Sequence, residues 1–307
     1  MRVAVADIGT NSTRLLVADV AQDGAVVELE RHSTVTRLGQ GVDASGALHP
    51  DAMQRVFDTL ATYRERIDAL GATATTAVLT SAVRDASNGA EFTTRIREEF
   101  GFDARVISGD EEAQLTYLGA TSGRPEDAPG PVVVIDIGGG STEFVVGEGG
   151  RILQHASTQA GVVRQAERHV RHDPPRHDEL IAVADEVRGI FTTAITADLR
   201  AAVTTGIAVA GTATSCAAIA QDLEPYDPER VHGFRLPLAT CERLLARLAS
   251  MDVEERRDVA GLHPDRAPTI VPGVVLLIEA MRAYDLDEVE VSEHDILRGA
   301  ALQLARA

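Results

Sequence analysis

The chain contains no lysine and no tryptophan; all 29 of its basic residues are arginine. A P-loop, whose lysine reaches the β- and γ-phosphates, is therefore excluded. Lysine Schiff-base chemistry is excluded as well. Aromatic residues make up only 4% of the sequence, which leaves little material for base-stacking platforms. The two cysteines, Cys216 and Cys241, are too few for a disulfide framework or a zinc cluster. Each is expected as a small buried side chain. No apolar run reaches the roughly 18 residues of a membrane span. Met1-Arg2 leads straight into strand-like Val3-Ala4-Val5, without an apolar leader. A cytoplasmic protein without a membrane partner is expected.

What is present is acidic. The net charge is −18, which argues against broad binding to nucleic acid or anionic membranes. It leaves room for a small or linear polyanion held with metal ions in a locally basic site. With 44% hydrophobic and 25% charged residues, the class is soluble and globular. A length of 307 residues suffices for two domains.

One stretch organises the rest. Val132 to Ile135 reads as a buried strand ending in Asp136; Gly138-Gly139-Gly140 follows, then Ser141-Thr142-Glu143 and a second apolar run, Phe144 to Val146. Strand, glycine turn, strand is a β-hairpin. Three glycines let backbone N–H groups face a phosphate without side chains in the way. Asp136 and Glu143 flank the turn and could hold hydrated Mg²⁺. The bland alternative is a glycine-rich hairpin with two exposed acids. The turn is not a Rossmann fingerprint, because a strand rather than a helix follows it.

The N-terminus repeats this stretch at an offset of 129 residues without a gap: Asp7 matches Asp136, Gly9 matches Gly138, Ser12 matches Ser141 and Thr13 matches Thr142. The shared Asp-Ile-Gly-x-x-Ser-Thr implies one duplicated domain that opens with three strands, and two hairpins facing each other across a cleft. The Gly- and Pro-rich segment 122–131 is the predicted linker. Domains are expected over 1–125 and 126–307, with the C-terminal helix, about 295–307, placed to pack back on the first. Helices are predicted over about 50–70, to about Phe100 from a cap at Ser87 or Asn88, 110–120, 178–199 and 264–284.

Other residues invite chemistry. The strand-to-helix turn Gly211-Thr212-Ala213-Thr214 puts amides and hydroxyls at a helix N-terminus, which favours anions; ordinary capping is the plain alternative. Glu111-Glu112 opens a helix, where acids complement the dipole. Adjacent helical residues point about 100° apart, so only one can face a site and act on water. The residues alone leave that choice open. Arg84 and Arg14 could pin terminal phosphates or form surface ion pairs. The pairs His172-Asp173, His177-Asp178 and His294-Asp295 are read as loops and caps rather than a metal motif.

Asp7-Ile-Gly-Thr-Asn-Ser, Thr80-Ser-Ala-Val-Arg84-Asp-Ala, Ser108-Gly-Asp-Glu-Glu112-Ala, Asp136-Ile-Gly-Gly-Gly-Ser-Thr-Glu143 and Gly211-Thr-Ala-Thr-Ser occur in that order. With these motifs, from residue 1 to about 300, the chain resembles the exopolyphosphatase / guanosine pentaphosphate phosphohydrolase (Ppx/GppA) family. The resemblance implies an α/β fold of two duplicated ribonuclease-H-like domains of the actin/sugar kinase/Hsp70 superfamily around a cleft, in the short two-domain form common in actinobacteria. It implies Glu112 as catalytic base and Asp136, Glu143 and Asp7 as Mg²⁺ ligands. Mn²⁺ is the alternative metal and K⁺ a candidate monovalent cation. Arg84 and Arg14 would bind phosphate, as would the turns Thr10-Asn11-Ser12, Gly138 to Thr142, and Gly211, Thr212 and Thr214.

The implied reaction is release of orthophosphate from the end of inorganic polyphosphate, with short chains favoured because the longer members' extra helical domain is not expected here. The alternative is removal of the 5′ γ-phosphate of guanosine pentaphosphate. A non-catalytic sensor of polyphosphate or of guanosine penta- or tetraphosphate is the reading from another class. A kinase fits less well, since no sugar-binding insert is apparent. A homodimer is the family expectation.

Overall fold

The computed structural model describes residues 1–124 and 130–306. Residues 125–129, half of the predicted linker, and with them the domain boundary at 125/126, lie outside the described residues, as does residue 307. The chain divides into one unit of 1–122 with 295–307 and another of 123–294.

In the first unit β1 (Arg2–Ile8), β2 (Ser12–Val20) and β3 (Val26–Val35) form an antiparallel meander; β4 (Ala74–Leu79) and β5 (Asp103–Val106) add in parallel, in the order β3-β2-β1-β4-β5. Both faces of β1 are buried, as the apolar run Val3 to Ala6 requires. Because side chains alternate, Ala4, Ala6 and Ile8 pack with Val56, Phe57, Leu60 and Ile67 of the helix Pro50–Leu70. Val3 and Val5 pack on the other face with Leu115 of the helix Gly109–Thr121 and with Leu297 and Ala301 of the C-terminal helix Ile296–Arg306. Arg298 of that last helix donates to the Ser122 hydroxyl at 2.7 Å.

The second unit repeats the plan. β6 (Val132–Ile137), β7 (Thr142–Glu148) and β8 (Arg151–Thr158) form the meander, and β9 (Thr205–Val209) and β11 (Glu288–Val291) add in parallel; β10 (Arg235–Pro237) extends the edge antiparallel, giving the order β10-β11-β9-β6-β7-β8. Without β10 this is the first unit's order. The duplication reaches fine detail. The β2–β3 register shifts between Val17 and Ala18, and the β7–β8 register shifts between Val146 and Gly147, again 129 residues apart. Gly9 N–H donates to the Ser12 carbonyl at 3.0 Å, and Gly138 N–H donates to the Ser141 carbonyl at 3.0 Å. The expected duplicated α/β fold is therefore present.

Three local predictions need correction. The helix expected over 178–199 is two, His177–Ala194 and Ala197–Ala202, broken by extended backbone at Ile195 and Thr196. The helix expected from 264 begins as a 3₁₀ turn, Pro264–Arg266, and becomes α-helical at Ile270. The side chain of Asn88 does not cap the helix Gly89–Phe100; it exchanges two hydrogen bonds with the backbone of Leu48, 40 residues away. Among the described residues no helix is long and apolar enough to cross a membrane.

Candidate active site

In the second unit the glycine turn is held from one side. The Gly138 carbonyl accepts from Val162 N–H at 3.0 Å, the Gly139 carbonyl from Val163 N–H at 2.8 Å, and the Gly140 carbonyl from Arg164 Nε at 3.0 Å. All three donors belong to the helix Val162–His169. A trans peptide sets each C=O opposite the next N–H. The N–H groups of Gly139, Gly140 and Ser141 therefore point away from that helix, as a row of donors suited to phosphate oxygens. Gly161 allows the close approach: a Cβ there would lie 2.4 Å from the Gly139 oxygen and the Gly140 carbonyl carbon.

Asp136 and Glu143 are direct partners across the β6–β7 ladder. Their side chains share one face of the sheet, on Cα atoms about 4.5–5.5 Å apart. Both are buried, at 8% and 2% exposure, and Ser157 Oγ donates to Glu143 Oε1 at 2.8 Å. Among the described residues no group of three or more His, Cys, Asp or Glu assembles as a metal site. Two carboxylates nevertheless suit Mg²⁺, which keeps several waters and completes its shell with substrate phosphates. The Thr142 hydroxyl, expected at phosphate, is committed elsewhere; it donates to the Ala160 carbonyl at 2.6 Å.

The second turn expected at phosphate is built where β9 meets a helix, Ala210–Ala220. Asp136 pairs with Val209 of β9 as Asp7 pairs with Val78 of β4, so Gly211-Thr212 corresponds to Thr80-Ser81. Ala210 takes φ 65°, a strained value for a residue with a side chain. The Arg266 guanidinium lies on Gly211; a Cβ there would come within 1.6 Å of Nη1. Thr214 Oγ1 reaches the Gly211 carbonyl only at 3.5 Å, and Thr212 is buried. Arg266 and Arg164 escaped the sequence reading, because neither lies in a glycine or Ser/Thr motif.

In the first unit Ser108 caps the helix Gly109–Thr121, its Oγ accepting from Glu111 N–H at 3.1 Å. The two glutamates then part as helical geometry requires. Glu111 pairs with Arg105, and Glu112 is buried with Oε2 3.1 Å from Arg84 Nη1. The same Arg84 nitrogen donates to the Ile107 carbonyl at 3.0 Å. Thr10 Oγ1 and Ser81 Oγ lie 2.9 Å apart, joining the first turn to the segment that carries Arg84. The Asn11 carbonyl accepts from Thr36 and Arg37 N–H, and Ser12 begins β2.

Arg14, expected to pin a phosphate, is instead bound to carboxylates. Opposite Asp7 on the β1–β2 ladder, it places Nε and Nη2 at 2.8 and 2.6 Å from Asp7 Oδ2. Its Nη1 pairs with Asp295, which caps the C-terminal helix by accepting from Leu297 N–H. Burial pushes the Asp7 carboxyl up, and Arg14 offsets this only in part. Burial also acts on Asp295, but Arg14 and Arg31 outweigh it and hold that carboxyl below its usual range.

This duplicated fold, with a glycine turn after β6 and a buried helix-start glutamate, has known relatives. The model of the Ppx/GppA phosphatase family matches residues 3–304, and the chain belongs to that family. It is 38% identical to exopolyphosphatase 2 of Mycobacterium tuberculosis, over 99% of this chain and 98% of that protein. It is 29% identical to a guanosine-5′-triphosphate,3′-diphosphate pyrophosphatase of Vibrio cholerae, over 99% of this chain but 59% of that protein. The crystal structure of an exopolyphosphatase from Cytophaga hutchinsonii superposes with a TM-score of 0.89 at 28% identity, covering 99% or more of both chains.

Proposed function

We propose that the protein is an exopolyphosphatase that hydrolyses the terminal phosphoanhydride of inorganic polyphosphate. The observation that carries this reading is the buried, Arg84-bound Glu112 at a capped helix start in the first unit; the second unit, taken by itself, supplies a row of backbone donors at Gly139 to Ser141. One supplies a base for water and the other a seat for phosphate oxygens. Full-length similarity to an exopolyphosphatase supports the substrate class.

Glu112 orients a water and accepts its proton as the water oxygen attacks the terminal phosphorus. The bond from that phosphorus to the bridging oxygen breaks, orthophosphate leaves, and the chain is one unit shorter. Arg84 in the first unit, and the amides of Gly139 to Ser141 in the second, are each suited to non-bridging phosphate oxygens. Asp136 and Glu143 would hold Mg²⁺, or Mn²⁺ in its place, which when bound neutralises phosphate charge. That neutralisation matters more on a chain of net charge −18. A monovalent cation such as K⁺, a preference for short chains, a homodimer and a cytoplasmic location complete the reading.

The second reading, guanosine pentaphosphate 5′-phosphohydrolase, draws on the Vibrio relative, of which this chain covers the smaller share. The test is phosphate release from short polyphosphate, long polyphosphate and guanosine pentaphosphate side by side, with and without Mg²⁺. Fastest release from polyphosphate is expected. Preference for guanosine pentaphosphate would move the assignment to the second reading, and release from none would make the protein a sensor.

A further inference from the structure

The two hairpins are copies whose charges have diverged at one position. Glu143 lies opposite Asp136 in the second, and Arg14 lies opposite Asp7 in the first, at the same ladder position. We propose that Arg14 is a built-in cation that takes the place of a divalent ion at Asp7. The chain then binds one divalent ion, at Asp136 and Glu143, and none at Asp7. This rests on the reading of Asp136 and Glu143 as metal ligands.

The geometry of the first unit is that of a closed charge cluster. Arg14 Nε and Nη2 both reach Asp7 Oδ2, and Nη1 reaches Asp295. Arg31 Nη1 stands 3.9 Å from Asp295 Oδ1. Arg14 thus bridges both buried carboxylates, while Arg31, itself paired with Glu28 at 2.7 Å, adds a second guanidinium beside Asp295, so little field remains at Asp7 to attract a divalent cation. Arg14 cannot swing away cheaply. Asp7 and Asp295 are 4% and 3% exposed, and leaving two such carboxylates uncompensated is strongly unfavourable. Asp295 is also fixed by its bond from Leu297 N–H at 3.0 Å. Asp7 Oδ1 is buried without a hydrogen-bond partner. It is one oxygen beside a guanidinium, where Mg²⁺ requires near-octahedral access and net negative charge. The guanidinium also differs from a metal in being always present: it needs no loading and does not exchange.

The experiment is a Mn²⁺ titration of the full chain followed by electron paramagnetic resonance, which counts bound ions without reference to turnover. Wild type is expected to bind one Mn²⁺, Asp136→Asn to lose it, and Asp7→Asn to keep it with Kd changed less than threefold, below the roughly tenfold or greater loss typical of a disturbed metal site. Arg14→Gln, confirmed as folded by circular dichroism, should gain a second, weaker ion at the released Asp7 and Asp295. Two ions on wild type, a tenfold weakening in Asp7→Asn, or a folded Arg14→Gln with only one ion would each overturn the role of Arg14 while leaving Asp136 and Glu143 as ligands. No ion on wild type would overturn both. If Arg14→Gln fails to fold, the wild-type count and Asp7→Asn decide the matter.

Discussion

Arg84 Nη1 stands 3.1 Å from Glu112 Oε2 and 3.0 Å from the Ile107 carbonyl. One nitrogen of the guanidinium thus fixes the carboxylate to the strand-to-helix corner behind it. The Arg84 side chain is 23% exposed, and a guanidinium carries five N–H donors, so it can hold phosphate as well as position Glu112.

Glu112→Gln should therefore separate chemistry from folding. The amide keeps the shape but cannot accept water's proton. Turnover is expected to fall by about 10²–10⁴-fold, with KM little changed. Phosphate release and a thermal melt on the same sample check this. A folded variant with near-normal release would show that another group is the base.

Gly161 and Gly211 predict two different failures. A Cβ at Gly161 meets backbone, 2.4 Å from the Gly139 oxygen and the Gly140 carbonyl carbon. Gly161→Ala should displace the turn, destabilise the chain by about 1–3 kcal/mol and weaken tripolyphosphate binding. A Cβ at Gly211 meets the flexible end of Arg266, 1.6 Å from Nη1 and 2.1 Å from Cζ. Gly211→Ala should leave stability nearly unchanged and raise KM as Arg266 is pushed aside. Calorimetric binding of tripolyphosphate alongside melting curves distinguishes them; equal destabilisation in both would contradict the assignment of the Gly211 contact.

The duplication was readable because Asp-Ile-Gly-x-x-Ser-Thr recurs at a constant spacing, and strand periodicity is local. Local rules also gave the helix that Glu111-Glu112 opens and the parting of those two acids. What they could not give was the choice between those acids. That depends on Arg105 reaching one and Arg84 the other. Arg14 reads from sequence as a phosphate ligand because its partner Asp295 is 281 residues away. The row of amides at Gly139 to Ser141 depends on a helix that begins at Val162, and the seat of Arg266 on Gly211 spans 55 residues. The three-residue β10 has too little pattern to announce itself.

The two thiols should be inert in the native protein. Cys216 and Cys241 are both fully buried. Burial pushes the Cys241 thiol up to about 12 and the Cys216 thiol well above its ordinary value. Since the thiolate is the reactive form, Ellman's reagent at pH 8 is expected to titrate no thiol before unfolding and both after it. Rapid native labelling of either would contradict the packing of the helices that carry them.

Acid stability should depend on Glu179, in the first turn of the helix His177–Ala194. Its Oε1 accepts from Arg171 N–H at 2.8 Å and lies 2.8 Å from His172 Nδ1, and its Oε2 accepts from Arg176 N–H at 2.9 Å. Burial alone would push this carboxyl up, but the bonds from His172 and the Arg176 and Arg171 amides outweigh it and bring the carboxyl down to about 2 from an ordinary 4.5. The folded state thus holds the proton less tightly than the unfolded state does. The stabilisation is fully present above about pH 4.5 and is lost as pH falls through about 2. Glu179→Gln removes the charge that these donors point at. Urea unfolding of both proteins from pH 6 downward should show the variant less stable, with the gap constant above pH 4.5 and closing toward pH 2. A gap that does not change with pH would mean that the carboxylate's charge is not what secures the loop from Arg171 to Arg176.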